Sequence, residues 1–216
     1  MKTKVILSIS LLFNIIFLIV CAYIFRDKWI QKIVAIKGDT KIVMFGNSLT
    51  AQGKWVELLG RTDVLNSGFP GLCTYHFISL LQPHVIDKHP AVCFVEAGIN
   101  DITVGVAQEK IQQNYQVILE TIVKNGIKPV VTLTLYEQND PESKKEVIRL
   151  NEFLITYCQK NNIEYLDLNP HLSDATGLKP AFAKDKTHLN TAAYKIWANE
   201  VDKVLKKMSI KHQLSI

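Results

Sequence analysis

From Lys41 to about Met208, short apolar runs alternate with longer stretches in which apolar positions recur every three or four residues. The runs KIVMFG, DVLNSG, PAVCFVEAG, KPVVTLTLY and IEYLDLN are rich in β-branched or aromatic side chains and bounded by Gly, Pro or Asn, which predicts five strands. Between them, VAQEKIQQNYQVILETIVKNG sets Ile111, Tyr115, Ile118, Ile122 and Val123 on one helical stripe and stops at Gly126. A second helix opens on Asp140 as N-cap with Pro141 at its first position, and carries the stripe Val147, Leu150, Leu154, Tyr157 and Cys158. A last helix runs from about Thr191 to Met208, with Trp197, Val201, Val204, Leu205 and Met208 facing inward.

Strands that alternate with helices imply right-handed crossovers and a parallel sheet covered on both faces. The fold expected is therefore a flavodoxin-like, three-layer α/β/α sandwich with a five-stranded parallel sheet. In such sheets, sites form at the carboxyl ends of the strands.

The first residues break this pattern. Val5 to Phe25 is a run of 21 residues without a formal charge, preceded by MKTK and followed by RDKW. As a helix it would cover roughly the 30 Å hydrocarbon core of a bilayer. The reading taken is an uncleaved N-terminal transmembrane helix, with a cleaved signal peptide as its rival. A lipidated Cys21 fits less well, because Val20 stands where a small residue is needed. Positive charge flanks both ends, so charge does not set the orientation; a catalytic domain outside the cytoplasm is the default. The division expected is an anchor over 1–28, a linker over 29–40, a catalytic domain over 41–208 and a tail over 209–216.

Composition narrows the function classes. The net charge of +5 is spread without a dense Lys/Arg run, which argues against a nucleic-acid partner. The four cysteines match no zinc spacing and no disulfide framework. Cys93 and Cys158 fall on apolar faces, Cys21 lies in the anchor, and only Cys73 is expected to reach the surface.

Four polar stretches interrupt the apolar pattern. FGNSLT, NSGFPG and EAGIND close the first three strands, and DKTHLN precedes the last helix. Alone, each has an ordinary reading: a turn serine, a tight glycine turn, a helix cap, a surface pair. Together they hold what acyl transfer needs. Ser48 offers a hydroxyl, which is a poor nucleophile until a base takes its proton. His188 offers that base, and Asp185, three residues earlier, can hold its far nitrogen. The backbone N–H groups of Ser48 and Gly68, with the Asn100 amide, offer donors for an oxyanion.

In this order and spacing the four stretches resemble the blocks of the SGNH hydrolases, the GDSL-type lipases and esterases. GNSLT matches the first block at Ser48, NSGFPG the second at Gly68, GIND the third at Asn100, and DKTH the last at Asp185 and His188. The resemblance covers essentially the whole region from Lys41 to Met208. It implies a serine esterase with Ser48, Asp185 and His188 as catalytic residues and Ser48, Gly68 and Asn100 as the oxyanion hole. It implies no metal and no cofactor. The partner is then a small-molecule, glycan or lipid ester, with short acyl groups favoured because the chain lacks large insertions. Acyl transfer to a sugar hydroxyl, lysophospholipid or thioester cleavage, and a non-catalytic binding domain tethered at the membrane are the alternatives. The α/β-hydrolase pattern Gly-x-Ser-x-Gly fails at Thr50.

One position departs from the resemblance: Asn47 stands where the family carries Asp. Asn47 and Tyr136, at the end of the fourth strand, are the candidate pocket residues. The remaining histidines read as surface or packing residues, with a pocket-lining role as the lesser alternative for His76, close to Gly71.

Overall fold

The computed structural model describes residues 11–26 and 40–210. Residues 11–26 form a helix, α1. There follow β1 (Ile42–Gly46), α2 (Ser48–Gln52), α3 (Trp55–Leu59), β2 (Val64–Gly68), α4 (Thr74–His84), β3 (Val92–Glu96), α5 (Ile99–Thr103), α6 (Gln108–Lys124) and β4 (Lys128–Thr132). The chain continues through α7 (Pro141–Lys160), β5 (Glu164–Leu166), α8 (Asn169–Leu172), the two-residue strands β6 (Ser173–Asp174) and β7 (Gly177–Leu178), and α9 (Thr191–Lys207).

All five strands of the main sheet are parallel, in the order β2-β1-β3-β4-β5. Side chains alternate faces along a strand. Ile42, Met44, Val92 and Phe94 therefore pack to one side with Trp55, Trp197 and Val201 of α3 and α9. Val43, Phe45, Cys93 and Val95 pack to the other with Phe77, Ile111, Tyr115, Ile118 and Leu154 of α4, α6 and α7. Both faces are covered, which is why these strands read as unbroken apolar runs. The result is the three-layer sandwich expected.

The fourth strand is shorter than its apolar run. Leu133 still donates to Leu166 O, but Thr134 N–H then goes to Asn151 Oδ1 and Tyr136 N–H to Asn169 Oδ1. Two side-chain amides replace the neighbouring strand, so the run continues in composition while the ladder ends.

Two expectations change, and the expected membrane span is described only in part. Cys73 is buried, drawn in as the N-cap of α4. Val123 is about half exposed, because it lies at the edge of the α6 stripe. The expected span Val5–Phe25 begins outside the described residues. Its described part covers 11–25, and among the described residues no helix is long and apolar enough to cross a membrane. The expected linker and tail lie, apart from Thr40, Ser209 and Ile210, outside the described residues.

Candidate active site

The strand order reverses at β1, whose neighbours β2 and β3 lead away in opposite directions. A crevice forms at such a point, outside the carboxyl ends of the strands. In register, Gly46 lies between Gly68 and Glu96. The loops leaving these three residues carry three of the four polar stretches.

Ser48 is the first residue of α2. Asn47 caps that helix, its Oδ1 accepting the Leu49 N–H at 2.8 Å. The last turn is held by Trp55, whose indole N–H donates to Thr50 O at 2.8 Å. The Tyr194 hydroxyl donates to Leu49 O at 2.7 Å. The serine thus rides on one short turn of helix fixed at both ends.

His188 arrives from the opposite end of the domain. Its Nε2 lies 3.0 Å from Ser48 Oγ, and its Nδ1 lies 2.9 and 3.0 Å from the two Asp185 oxygens. Asp185 also accepts the backbone N–H groups of His188, at 2.8 Å, and Thr187, at 3.0 Å. Those two N–H groups, followed by the imidazole, hold its carboxyl down at about 2. Asp185 therefore stays ionised at neutral pH although its side chain is half exposed.

The loop carrying Asp185 and His188 is tied to the segment after β4. Thr187 Oγ1 donates to Glu137 Oε1 at 2.6 Å, the Gln138 N–H to Lys186 O at 2.8 Å, and Lys186 Nζ to Asp140 Oδ2 at 2.8 Å. Glu137 is almost fully buried. No motif in the sequence singles it out.

The three expected oxyanion donors stand differently. Ser48 N–H belongs to the first helical residue and has no intrahelical acceptor. Asn100 gives one amide hydrogen to Leu72 O at 2.9 Å and keeps the other. Gly68 N–H is already donated to Asn66 Oδ1 at 3.0 Å. The same Asn66 amide donates to Ala51 O and Gly53 O, at 3.1 and 3.0 Å, and so ties the end of β2 to α2. Glycine is required at 68 for that closeness, since a Cβ there would fall on the backbone N and Cα of Ala51. Gly71 instead takes a positive φ of 78°.

Asp101, beside Asn100, works as a clasp. It accepts the Thr74 N–H and hydroxyl, the latter at 2.6 Å, and Asn114 Nδ2 donates to the same hydroxyl at 2.9 Å. This fixes the glycine loop to α5 and α6. His76 is a cap, its Nδ1 accepting the Cys73 N–H at 3.1 Å. Tyr136 meets Asn169 through its backbone and the Lys144 ammonium over its ring, and makes no hydrogen bond to Ser48 or His188. Asn47 is fully buried and donates to Glu96, a residue to which the motifs assign no role. Glu96 opens the EAGIND stretch and ends a strand whose five residues are all buried.

A cavity of about 430 Å³ opens beyond α2, lined by Gln52, Lys54, Leu58, Lys184, Leu189 and Tyr194 among others. Neither Ser48 nor His188 lines it. Among the described residues no cluster of His, Cys, Asp and Glu is arranged to hold a metal ion.

The family model described as "GDSL-like Lipase/Acylhydrolase family" matches residues 44–196. A GDSL-like lipase from Bacteroides thetaiotaomicron superimposes with a TM-score of 0.73 at 21% identity, over 80% of this chain and 90% of that one. An acetyl xylan esterase, AlAXEase, does so with a TM-score of 0.67 at 17% identity, over 76% and 99%. At these identities the likeness is one of fold. An N-acylneuraminate cytidylyltransferase from Streptococcus agalactiae is 26% identical over 127 residues, 55% of this chain. The match spans only 31% of that relative's length.

Proposed function

The chain belongs to the GDSL-like lipase/acylhydrolase family, which hydrolyses ester bonds, and from that premise we propose that it is a serine esterase acting on short-acyl, acetyl-type esters of carbohydrate. The observation that carries the reading is the unbroken chain from Asp185 through His188 to Ser48 Oγ. Ser48 Oγ attacks the ester carbonyl while its proton passes to His188 Nε2. The carbonyl π pair moves to oxygen, where Ser48 N–H and the second Asn100 amide hydrogen receive it. Gly68 N–H joins them if Asn66 shares it. Collapse expels the alkoxide, which takes the proton from Nε2, and leaves an acyl-enzyme. Water attacks that ester and gives a proton to Nε2; the second collapse releases the carboxylic acid, and Ser48 Oγ takes that proton back from Nε2. Asp185 keeps the imidazole in the required tautomer and balances its transient charge.

Carbohydrate esters are favoured because one structural neighbour is named an acetyl xylan esterase and one relative is named for N-acylneuraminate. The test is a panel of sugar and p-nitrophenyl esters of increasing acyl length, with a fluorophosphonate probe followed by peptide mapping. Labelling on Ser48 and a preference for acetyl are expected. Folded protein that takes no label at Ser48 would sink the serine mechanism, and a preference for long acyl chains would sink the substrate class.

The Glu137 tie gives a further prediction. Glu137→Ala removes the acceptor of Thr187 and should cost about 1–3 kcal/mol in stability. It should also lower kcat about tenfold or more, because the His188 loop loses its anchor. Chemical denaturation and steady-state kinetics on one preparation check both; unchanged kcat would show that the loop holds itself.

The proposal includes attachment to a membrane through the N-terminal segment, with the catalytic domain outside the cytoplasm. Leu11, Phe13, Phe17, Leu18 and Ile19 of α1 are exposed and support this reading. Recovery of the full chain in the soluble fraction after cell lysis would count against it.

A further inference from the structure

Asn47 and Glu96 answer one another. The sheet register sets Glu96 beside Gly46, one residue before Asn47. Its carboxylate is buried; Oε1 accepts from Asn47 Nδ2 at 3.0 Å and Oε2 lies 3.3 Å from Thr50 Oγ1. Both groups belong to the turn that carries Ser48. Gly46 makes the approach possible, since a Cβ there would fall on Thr50 Oγ1 and come within 2.5 Å of Glu96 O.

An amide has two different ends. With Nδ2 committed to Glu96, the Asn47 oxygen must face the helix, where it receives the Leu49 N–H. Turned over, it would present N–H groups to an N–H. Ser48 sits between the two residues so fixed. An aspartate in this place could still cap Leu49, but its second oxygen would lie against Glu96. Two carboxyl groups that close cannot both ionise. Nothing nearby offsets a second charge. The hydroxyls of Tyr115 from α6 and Tyr194 from α9 are donated to Ala97 O and Leu49 O, and Asp101 from α5 is bound to Thr74. Among the described residues no ammonium or guanidinium pairs with Glu96.

We infer that Glu96 is a positioning residue for the nucleophile, acting through Asn47, and that the pair is matched: with Glu96 ionised, its neighbour on the serine turn must be a donor. This rests on the serine-esterase reading. Burial pushes the Glu96 carboxyl up to about 7, with the Asn47 and Thr50 hydrogen bonds pulling the other way. The Thr50 hydroxyl can donate to the carboxylate or accept from the acid, so the arrangement holds in both states.

The test compares the full chain with N47D, E96Q and N47D/E96Q, measuring kcat and KM on p-nitrophenyl acetate and Tm from pH 5 to 9. N47D should lose about 100-fold in kcat at pH 8 with KM little changed, a misplacement effect, and should recover as the pair gains a shared proton at lower pH. E96Q should lose about threefold. The double variant should return to within about tenfold of the parent, because the amide and the carboxylate have then changed places and the donor-to-acceptor contact is restored in reverse. Because the folded value of Glu96 lies above its ordinary 4.5, its contribution to stability is fully present below about 4.5 and is lost as the pH rises through about 7. E96Q should flatten that part of the Tm profile even if N47D fails to fold; an unchanged slope overturns the proposal. A double variant no better than N47D overturns it too, and Tm rescue without kcat rescue overturns the positioning role. If the parent hydrolyses no ester, the esterase reading fails separately, and Tm alone then decides the pairing.

Discussion

Ser48→Ala will lower kcat on a short acyl ester by about 10⁴-fold or more, with Tm nearly unchanged. The large effect follows from the division of labour: without Oγ there is no acyl-enzyme, and His188 and the oxyanion donors have nothing to activate. His188→Ala should cost about as much. The two together should cost little more, because members of one relay lose the same function. Asp185→Asn keeps the hydrogen-bonding shape but favours the wrong tautomer, and should fall by about 10⁴-fold. Since Asp185 is held at about 2, it stays charged above about pH 4, so any loss of activity between pH 4 and 7 reports a different group. Single-turnover kinetics on folded variants decide the matter; a Ser48→Ala protein with parental turnover would end the serine mechanism.

Trp55→Ala is the substitution expected to damage stability most while also reaching the site. Trp55 is fully buried, and its ring meets Trp197 edge to face at 4.9 Å. Removing such a ring costs about 3–5 kcal/mol through lost contacts and the cavity left behind. For a chain of this size that lowers Tm by roughly 6–20 °C. The indole N–H also holds Thr50 O, so the turn under Ser48 loses its lower support. A fall in kcat of about ten- to a hundredfold should accompany the change in Tm. Trp55→Phe separates the two contributions, since it keeps most of the packing and gives up only the hydrogen bond, about 1–3 kcal/mol. Calorimetry showing Trp55→Ala within about 1 kcal/mol of the parent would mean that the surrounding aromatic cluster closes over the gap.

What could be read from the sequence was what local pattern controls. The β-branched runs announced β1 to β5 because both faces of the sheet are apolar, and Asp140 with Pro141 announced the start of α7, where Asp140 Oδ1 does accept the Ser143 N–H. Ser48, Asp185 and His188 were legible because each sits in a short motif. What escaped depends on distant partners. β4 stops at Thr132 because Asn151 and Asn169 reach the residues after it from α7 and the start of α8, and nothing near Thr132 signals this. Cys73 is buried because Asp101, 27 residues ahead of Thr74, pulls the glycine loop inward. Glu137 lies outside any motif, and Glu96 opens the EAGIND stretch without any partner being legible there. Their roles come from facing Thr187 and Asn47 across the fold, a relation that one-dimensional spacing does not contain. Asn47, unexplained as a departure from the family, gains its reason only when Glu96 is placed beside it.

The distance along the chain between nucleophile and base also has a consequence in time. Ser48 and His188 are 140 residues apart, and synthesis proceeds at about 5–20 residues per second. Ser48 therefore leaves the ribosome roughly 7–28 s before the imidazole that activates it. Tyr194, which holds the serine turn, and Trp197 and Val201, which cover one face of the sheet, follow His188 in the chain, so the support of the nucleophile and its proposed base are completed together. On the proposed mechanism, Ser48 has no base to activate it until the last block of the chain has been made.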